Sequence, residues 1–218
     1  MCCKITSGKD KEGKEVSRSY TPISKVHKRG QLELLIKVYF PTERFPDGGV
    51  VSQYLHSKDR SDMIKIAGPK GRIQYQGKGK FFFSQLNKKK TYKKVSCVGG
   101  GSGLTPLYQV ITHMLEETDQ KYDLSLLFAN KSEEDILMRQ ELDQLKESGR
   151  LNLAYCVDKG SESWKGFTGF VNERMLKQAL PVASPDHLVL ICGPYMMVKD
   201  VEKGLKDLGF NNENVFKF

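Results

Sequence analysis

Residues 95–106 read Val-Ser-Cys-Val-Gly-Gly-Gly-Ser-Gly-Leu-Thr-Pro. The β-branched run at 95–98 predicts a buried strand. Four glycines (Gly99, Gly100, Gly101 and Gly103) follow it, and a helical pattern starts at Leu107. A strand that breaks on glycines and restarts as a helix leaves free backbone N–H groups at a positive dipole end. Such an end suits a phosphate, and glycine lets the backbone approach it closely. The spacing Gly99-x-Gly101-x-x-Leu104 matches only part of a dinucleotide fingerprint, because the third Gly or Ala is missing. On its own, a tight strand-to-helix turn with no ligand explains the stretch equally well.

Downstream of this stretch the pattern alternates. Helices are expected at 107–117, from Ser132-Glu-Glu-Asp to about 147, at 171–178 and at 196–208, with strands at 124–128, 151–157 and 187–192. Alternating strands and helices predict a parallel, doubly wound sheet that binds ligands at the carboxyl ends of its strands. Four such ends carry polar or glycine-rich chemistry: 99–105, Asn130, Asp158 and Cys192-Gly193-Pro194.

Upstream, the character is β with one short helix. Strands are expected at 32–40, 63–67 and 72–75, a hairpin tip at 9–14, turns at 41–49 and 68–71, and a helix at 50–55. The polar, lysine-rich run between Ser84 and Lys94 reads as a solvated linker. It sets the expected domains at 1–88 and 89–218.

With 39% hydrophobic and 28% charged residues, the 218-residue chain has the balance of a globular protein with a sizeable core. No apolar run reaches the roughly 20 residues of a bilayer span, and Met1-Cys-Cys-Lys-Ile lacks a signal-peptide core. The five cysteines lack zinc spacing, so no metal site is expected and reduced thiols in the cytoplasm are. The net charge of +9 is dispersed and accompanies no nucleic-acid motif. An acidic protein partner is the functional reading of that charge.

Smaller constellations remain ambiguous one by one. Arg18, Tyr20, Thr21, Pro22 and Ser24 gather a cation, an aromatic face and hydroxyls near one strand end. They suit a phosphate and a planar ring, and they equally suit an edge strand ended by Pro22. Gly48-Gly-Val-Val-Ser repeats the helix-start logic, or is an ordinary turn. Cys192 reads as a buried thiol before a turn. The histidines lie outside these clusters, which disfavours a Cys–His pair. Asp158 could accept a ribose hydroxyl and repel a 2′-phosphate, or simply be a loop residue.

The order of these pieces carries more than any one of them. Arg18-Ser-Tyr-Thr-Pro-Ile-Ser, Gly48-Gly-Val-Val-Ser, Gly68-Pro-Lys-Gly, Gly99-Gly-Gly-Ser-Gly-Leu-Thr-Pro and Cys192-Gly-Pro together resemble the ferredoxin–NADP reductase superfamily, and within it the NADH–cytochrome b5 reductases. Leu127-Phe-Ala-Asn-Lys-Ser-Glu-Glu-Asp-Ile-Leu, Gly169-Phe-Val-Asn-Glu and the terminal Phe218 extend the likeness. The resemblance implies an α+β two-domain chain: an antiparallel β-barrel that binds FAD, then a doubly wound parallel α/β domain that binds NADH. By position, Arg18 would hold FAD phosphate, Tyr20 would pack on the flavin, and Thr21 would sit near its reactive nitrogen. Leu35, Lys37 and Phe40 match the next FAD-contacting strand, and Gly49, Val50, Val51 and Ser52 the pyrophosphate cap. Gly100, Gly101, Gly103, Thr105 and Pro106 would face NADH, with Thr105 also reaching FAD. Asp158 matches the acidic position associated with NADH preference. Cys192 would lie beside the nicotinamide in a pocket shaped by Gly193 and Pro194, so Thr21 and Cys192 are the residues nearest the chemistry.

The chain departs from the family pattern in places. Ser19 stands where a proline is usual, Val50 and Val51 replace Lys-Met, and Tyr195 and Met196 replace prolines. Only residues 1–17 precede the Arg18 motif, so the barrel is expected to be N-terminally truncated and FAD retention weakened. The implied activity is electron transfer from NADH through FAD to cytochrome b5 or another acidic one-electron acceptor. The chain is expected to be a monomer without a membrane segment, cytoplasmic, or on the cytosolic face of a membrane if an anchor lies elsewhere. The alternatives are a flavin-deficient, non-catalytic nucleotide-binding protein or fragment, and the reductase lobe of a nitrate-reductase-like system.

Overall fold

The computed structural model describes residues 2–10, 12–25, 27–43 and 45–218, without the side chains of residues 8 and 9. They form two compact units, 1–72 and 73–218.

The first unit is built on a three-stranded antiparallel sheet, in the order β2-β1-β3. Its strands are β1 (Cys2–Lys9), β2 (Glu15–Tyr20) and β3 (Lys65–Lys70), and the unit carries one helix, α1 (Val50–His56). Cys3, Ile5 and Ser7 are buried while Lys4 is exposed, the period-two signature of a strand. Pairing on both sides makes β1 the centre of the sheet, with Ile5 opposite Arg18 on one side and Ile66 on the other. Asp10 closes the β1–β2 hairpin by accepting from the backbone N–H groups of Glu12 and Lys14, and Gly13 supplies the positive φ of 78°. A small core of Cys3, Ile5 and Val51, joined by Val16, Tyr20, Leu34 and Leu55, fastens α1 to the sheet.

Two expectations for this unit change. The apolar run at 32–40 lies outside the ladders, apart from the Pro22–Leu34 bridge and the Ile23 N–H donated to the Glu33 carbonyl. Apolar alternation encourages an extended chain, but a ladder also needs a neighbour in register. The turn expected at 68–71 is instead the end of β3, where Lys70 pairs with Cys2. Gly68 and Pro69 are tolerated there because β3 is an edge strand.

The second unit opens with a three-stranded antiparallel sheet of β4 (Ile73–Tyr75), β5 (Lys80–Phe83) and β6 (Lys88–Thr91). The lysine-rich linker is thus partly a strand. Its backbone pairs with β5, whose Phe81 and Phe83 are buried, while Lys88 pairs with Glu213 at 3.2 Å. The division between the compact units falls before this sheet, which packs through Phe81, Phe83 and Tyr92 into the core of the second unit.

That core surrounds a six-stranded parallel sheet. In chain order its elements are β7 (Lys94–Gly100), α2 (Leu104–Leu115), β8 (Asp123–Asn130), α3 (Arg139–Glu147), β9 (Asn152–Val157), β10 (Phe167–Thr168), α4 (Glu173–Ala179), β11 (His187–Cys192), α5 (Tyr195–Asp207) and β12 (Val215–Lys217). The strand order is β10-β9-β8-β7-β11-β12, and every neighbouring pair is parallel. Strand alternation sends Val95, Cys97, Leu124, Leu126 and Phe128 toward α2 and α3. It sends Val98, Leu127, Val189 and Ile191 toward α4 and α5. Burial on both faces explains why the strands read as continuous apolar runs. Helix α3 starts later than its capping-box signal, because Ser132 Oγ donates to the Asp135 carboxylate within a turn instead of capping a helix. Among the described residues, no helix is long and apolar enough to cross a membrane.

Candidate functional site

In the first unit, three separated stretches meet on the small core around Ile5. Tyr20, Leu34 and Val51 all pack there, which brings the Arg18–Thr21 stretch, residues 34–40 and the start of α1 together. The turn before α1 is docked by backbone: Gly49 N–H donates to the Tyr39 carbonyl at 2.8 Å. A Cβ on Gly48, whose φ is 61°, would lie 2.5 Å from that same carbonyl oxygen. The N-cap of α1 is Gly49, which brings no side-chain cap, and the first turn holds no acidic residue, so among the described residues its leading N–H groups suit an anion. Arg18 is exposed, and its guanidinium donates to the Ser17 carbonyl. Phe40 is exposed and meets the His56 ring edge-on at 5.4 Å. Burial pushes the Tyr20 phenol up, and the Arg18 charge pulls it partly back.

The structure sharpens what each of these residues can offer. Val51 is core, and the Ser52 hydroxyl is engaged internally, donating to the Gly49 carbonyl and accepting from Tyr39 N–H. From these two positions a ligand would meet backbone, not side chain. Thr21, Leu35 and Lys37 are half-buried.

In the second unit, the loops after β7 and β11 interlock. Cys192 is paired with Gly99. A Cβ on Gly103 would stand 2.2 Å from the Cys192 carbonyl oxygen, and one on Gly100 would stand 2.8 Å from both Met197 Sδ and Pro194 Cδ. Gly101 has φ 52° with open space on its Cβ side. The glycines therefore have two tasks: Gly100 and Gly103 allow the loops to touch, while Gly101 makes the turn. Gly101–Gly103 form one 3-10 turn leading into α2, whose N-terminus has no side-chain cap and no acidic residue in its first turn. Thr105 and Pro106 are buried in that first turn, and Thr105 Oγ1 donates to the Ser102 carbonyl. Burial pushes the half-buried Cys192 thiol up to about 11, so near pH 7 it is a neutral, polarisable group and a poor nucleophile.

Asp158 is exposed at the carboxyl end of β9, and its N–H donates to the Asn130 and Lys131 carbonyls. It stands two strands from Gly100 in the sheet, about 10 Å at ordinary strand spacing. The loop beyond it is held by Trp164, which is wedged between Gly160 and Gly166 and donates to the Phe167 carbonyl. The Glu133 carboxylate, accepting from Ser161, pins the same loop and is held below the usual carboxylate range by those bonds. Among the described residues no group of three or more metal-ligating side chains occurs.

The carboxyl edge of the second unit thus joins an uncapped helix start, a glycine turn and a strand-end carboxylate, which fits a dinucleotide. The first unit's uncapped helix start beside Arg18, Tyr20 and Phe40 fits a phosphate-bearing ring system. Family models agree: residues 4–75 match the oxidoreductase FAD-binding domain, and residues 97–203 the oxidoreductase NAD-binding domain. These define a flavin- and dinucleotide-binding oxidoreductase of the ferredoxin-reductase-like fold.

The chain belongs to the NADH–cytochrome b5 reductase family. It is 40% identical over 215 residues to NADH-cytochrome b5 reductase 2 of Danio rerio, spanning 94% of this chain and 70% of that protein. It is also 40% identical over 199 residues to the NADH nitrate reductase of Spinacia oleracea, which covers 89% of this chain but only 21% of that longer protein. The crystal structure of the cytochrome b5 reductase domain of Ulva prolifera nitrate reductase superposes with a TM-score of 0.93 at 32% identity, covering 100% of this chain and 83% of that one.

Proposed function

We propose that this chain is an NADH-dependent flavin reductase that passes electrons from NADH through FAD to cytochrome b5 or a similar one-electron acceptor protein. The observation that carries the reading is the pairing of an FAD-binding and an NAD-binding oxidoreductase domain in one chain, at 40% identity to an NADH-cytochrome b5 reductase. FAD, when bound, would supply the redox chemistry, linking a two-electron hydride donor to a one-electron acceptor.

The chain's residues supply placement and electrostatics. Arg18 and the backbone from Gly49 to Ser52 hold FAD phosphates, Tyr20, Leu35 and Phe40 line the ring, and Thr21 and Lys37 sit nearest the reacting side. The turn from Gly100 to Pro106 takes the dinucleotide phosphates, and Asp158 accepts a ribose hydroxyl and repels a 2′-phosphate. Cys192, Gly193 and Pro194 frame the nicotinamide, with Cys192 neutral. In functional terms the FAD domain covers residues 1–88 and the NAD domain 89–218. The acceptor is acidic, matching the net charge of +9. The working unit is a monomer, in the cytoplasm or on the cytosolic face of a membrane.

The test is purified full chain supplied with FAD, assayed for NADH-driven reduction of ferricyanide and of cytochrome b5. Both reactions, with NADH far ahead of NADPH, support the reading. Failure to take up FAD overturns it in favour of a non-catalytic nucleotide-binding protein. The likeness to the Ulva prolifera domain favours a second reading, the reductase lobe of a nitrate-reductase system. Ferricyanide reduction without reduction of free cytochrome b5 would support that one instead.

A further inference from the structure

The end of β8 holds an unanswered group. Asn130 is 8% exposed, and neither its Nδ2 nor its Oδ1 has a hydrogen-bond partner among the described residues. Buried polar atoms are nearly always paired, and each exception calls for an explanation. The backbone of Asn130 is ordinary: it pairs with Val157, and its carbonyl accepts from Asp158 N–H. The anomaly is therefore confined to the side-chain amide. Alternation along β8 puts Asn130 on the face of Leu126 and Phe128, the face covered by α2. Its position in the sheet is intermediate, with the glycine turn on β7 to one side and Asp158 on β9 to the other. A second observation points the same way, because the neighbouring start of α2 is uncapped and free of acidic residues.

We propose that Asn130 is a dinucleotide-binding residue, whose amide is satisfied by the pyrophosphate and adenosine ribose of the bound nucleotide. This rests on the reading of the second unit as NAD-binding. An amide offers donors and an acceptor together. Nδ2 donates to a phosphate oxygen held at the glycine turn, and Oδ1 accepts from a ribose hydroxyl on the Asp158 side. In the structure both atoms are shut from solvent, so the amide reaches the ligand by rotating about its side-chain bonds toward the carboxyl edge. Leaving a conformer with no partners for one with two favours that rotation.

The proposal separates stability from affinity. An amide that holds the fold together costs stability when removed, whereas an unpartnered one does not. Asn130→Leu and Asn130→Met in the full chain are compared with the parent by thermal melting without nucleotide, and by calorimetric titration with NAD+ and with ADP. The expected result is a melting temperature equal to or above the parent's, with about tenfold weaker binding of both NAD+ and ADP. Unchanged affinities overturn the proposal while leaving the NAD-binding reading intact. A clear drop in melting temperature in both variants also overturns it, since the amide would then be structural. A tenfold loss for NAD+ with none for ADP overturns the adenosine-side placement. If the parent itself binds neither nucleotide, the NAD-binding reading falls as well.

Discussion

Replacing Gly103 by alanine tests how the dinucleotide-facing edge is held together. Gly103 has φ −64° and ψ −7°, an ordinary right-handed conformation that alanine adopts without strain. Its need for glycine is purely one of space. The added Cβ would lie 2.2 Å from the Cys192 carbonyl oxygen, 2.6 Å from its carbon and 2.9 Å from Gly193 N. All three are backbone atoms at the end of β11 and the start of the loop after it, so no side chain can swing aside and the two segments must separate. Overpacking typically costs about 1–3 kcal/mol, and rigid neighbours put this case near the upper end. In a unit of this size, a loss of about 3 kcal/mol lowers the melting temperature by roughly 6–12 °C. Gly101→Ala is the matched contrast, with open space but φ 52°, and should cost about 1–2 kcal/mol of backbone strain. The assay is thermal unfolding followed by fluorescence of Trp164, the only tryptophan in the chain and a residue of the same unit. Calorimetric NAD+ binding should weaken in Gly103→Ala as well. A Gly103→Ala melting temperature within about 2 °C of the parent's, or one above that of Gly101→Ala, would refute the interlocked-loop account.

Three further outcomes are expected. Burial holds the His187 imidazole below its ordinary 6.5; its Nδ1 faces the Val182 carbonyl and its Nε2 accepts from Ser96, which also contacts Ser125. The unfolded chain therefore binds the proton more readily, and stability falls as pH drops through 6.5, by up to about 1.4 kcal/mol per unit. The charges that act on it are Lys94, Asp123 and Asp186, and Asp186, with Ser184 donating to it and Lys93 and Lys94 nearby, is itself held below 3.8. Its loss therefore comes at lower pH, and His187→Asn should flatten the slope of denaturant stability between pH 7 and 5. Cys192, with its thiol near 11, should be alkylated by iodoacetamide at a rate that climbs with pH past 9, read by mass spectrometry; a plateau below pH 9 would contradict the burial argument. Glu117 accepts from the Tyr75 and Tyr122 hydroxyls and from Lys78 N–H, tying the β4–β5 hairpin to the end of α2. Glu117→Ala should lose about 1–2 kcal/mol by urea unfolding, allowing for its partial exposure, and Tyr75→Phe a smaller share.

Much of this protein was legible in its sequence. The switch from period-two alternation to alternating apolar strands and amphipathic helices is a local property, so the doubly wound unit and the bounds of β11 could be read directly. So could the order of Arg18, Gly49, Gly100, Asp158 and Cys192, since motif residues keep their chain order whatever the fold does with them. Tertiary structure decided the pairings and the space between loops. Leu32–Phe40 has the composition of a strand, yet strand ladders depend on a neighbour that composition does not name. The lysines at 88–90 look like a linker because they are a run of charge, and Lys88 and Lys89 are indeed exposed, while their backbone is held by Phe81–Phe83 of β5. The glycines after β7 suggest a phosphate cradle in one dimension; in three, Gly100 and Gly103 are required by the loop after β11, and only Gly101 by its own φ. Asn130 is one polar letter at a strand end in the sequence, and only the tertiary structure shows that its amide is buried with no hydrogen-bond partner among the described residues.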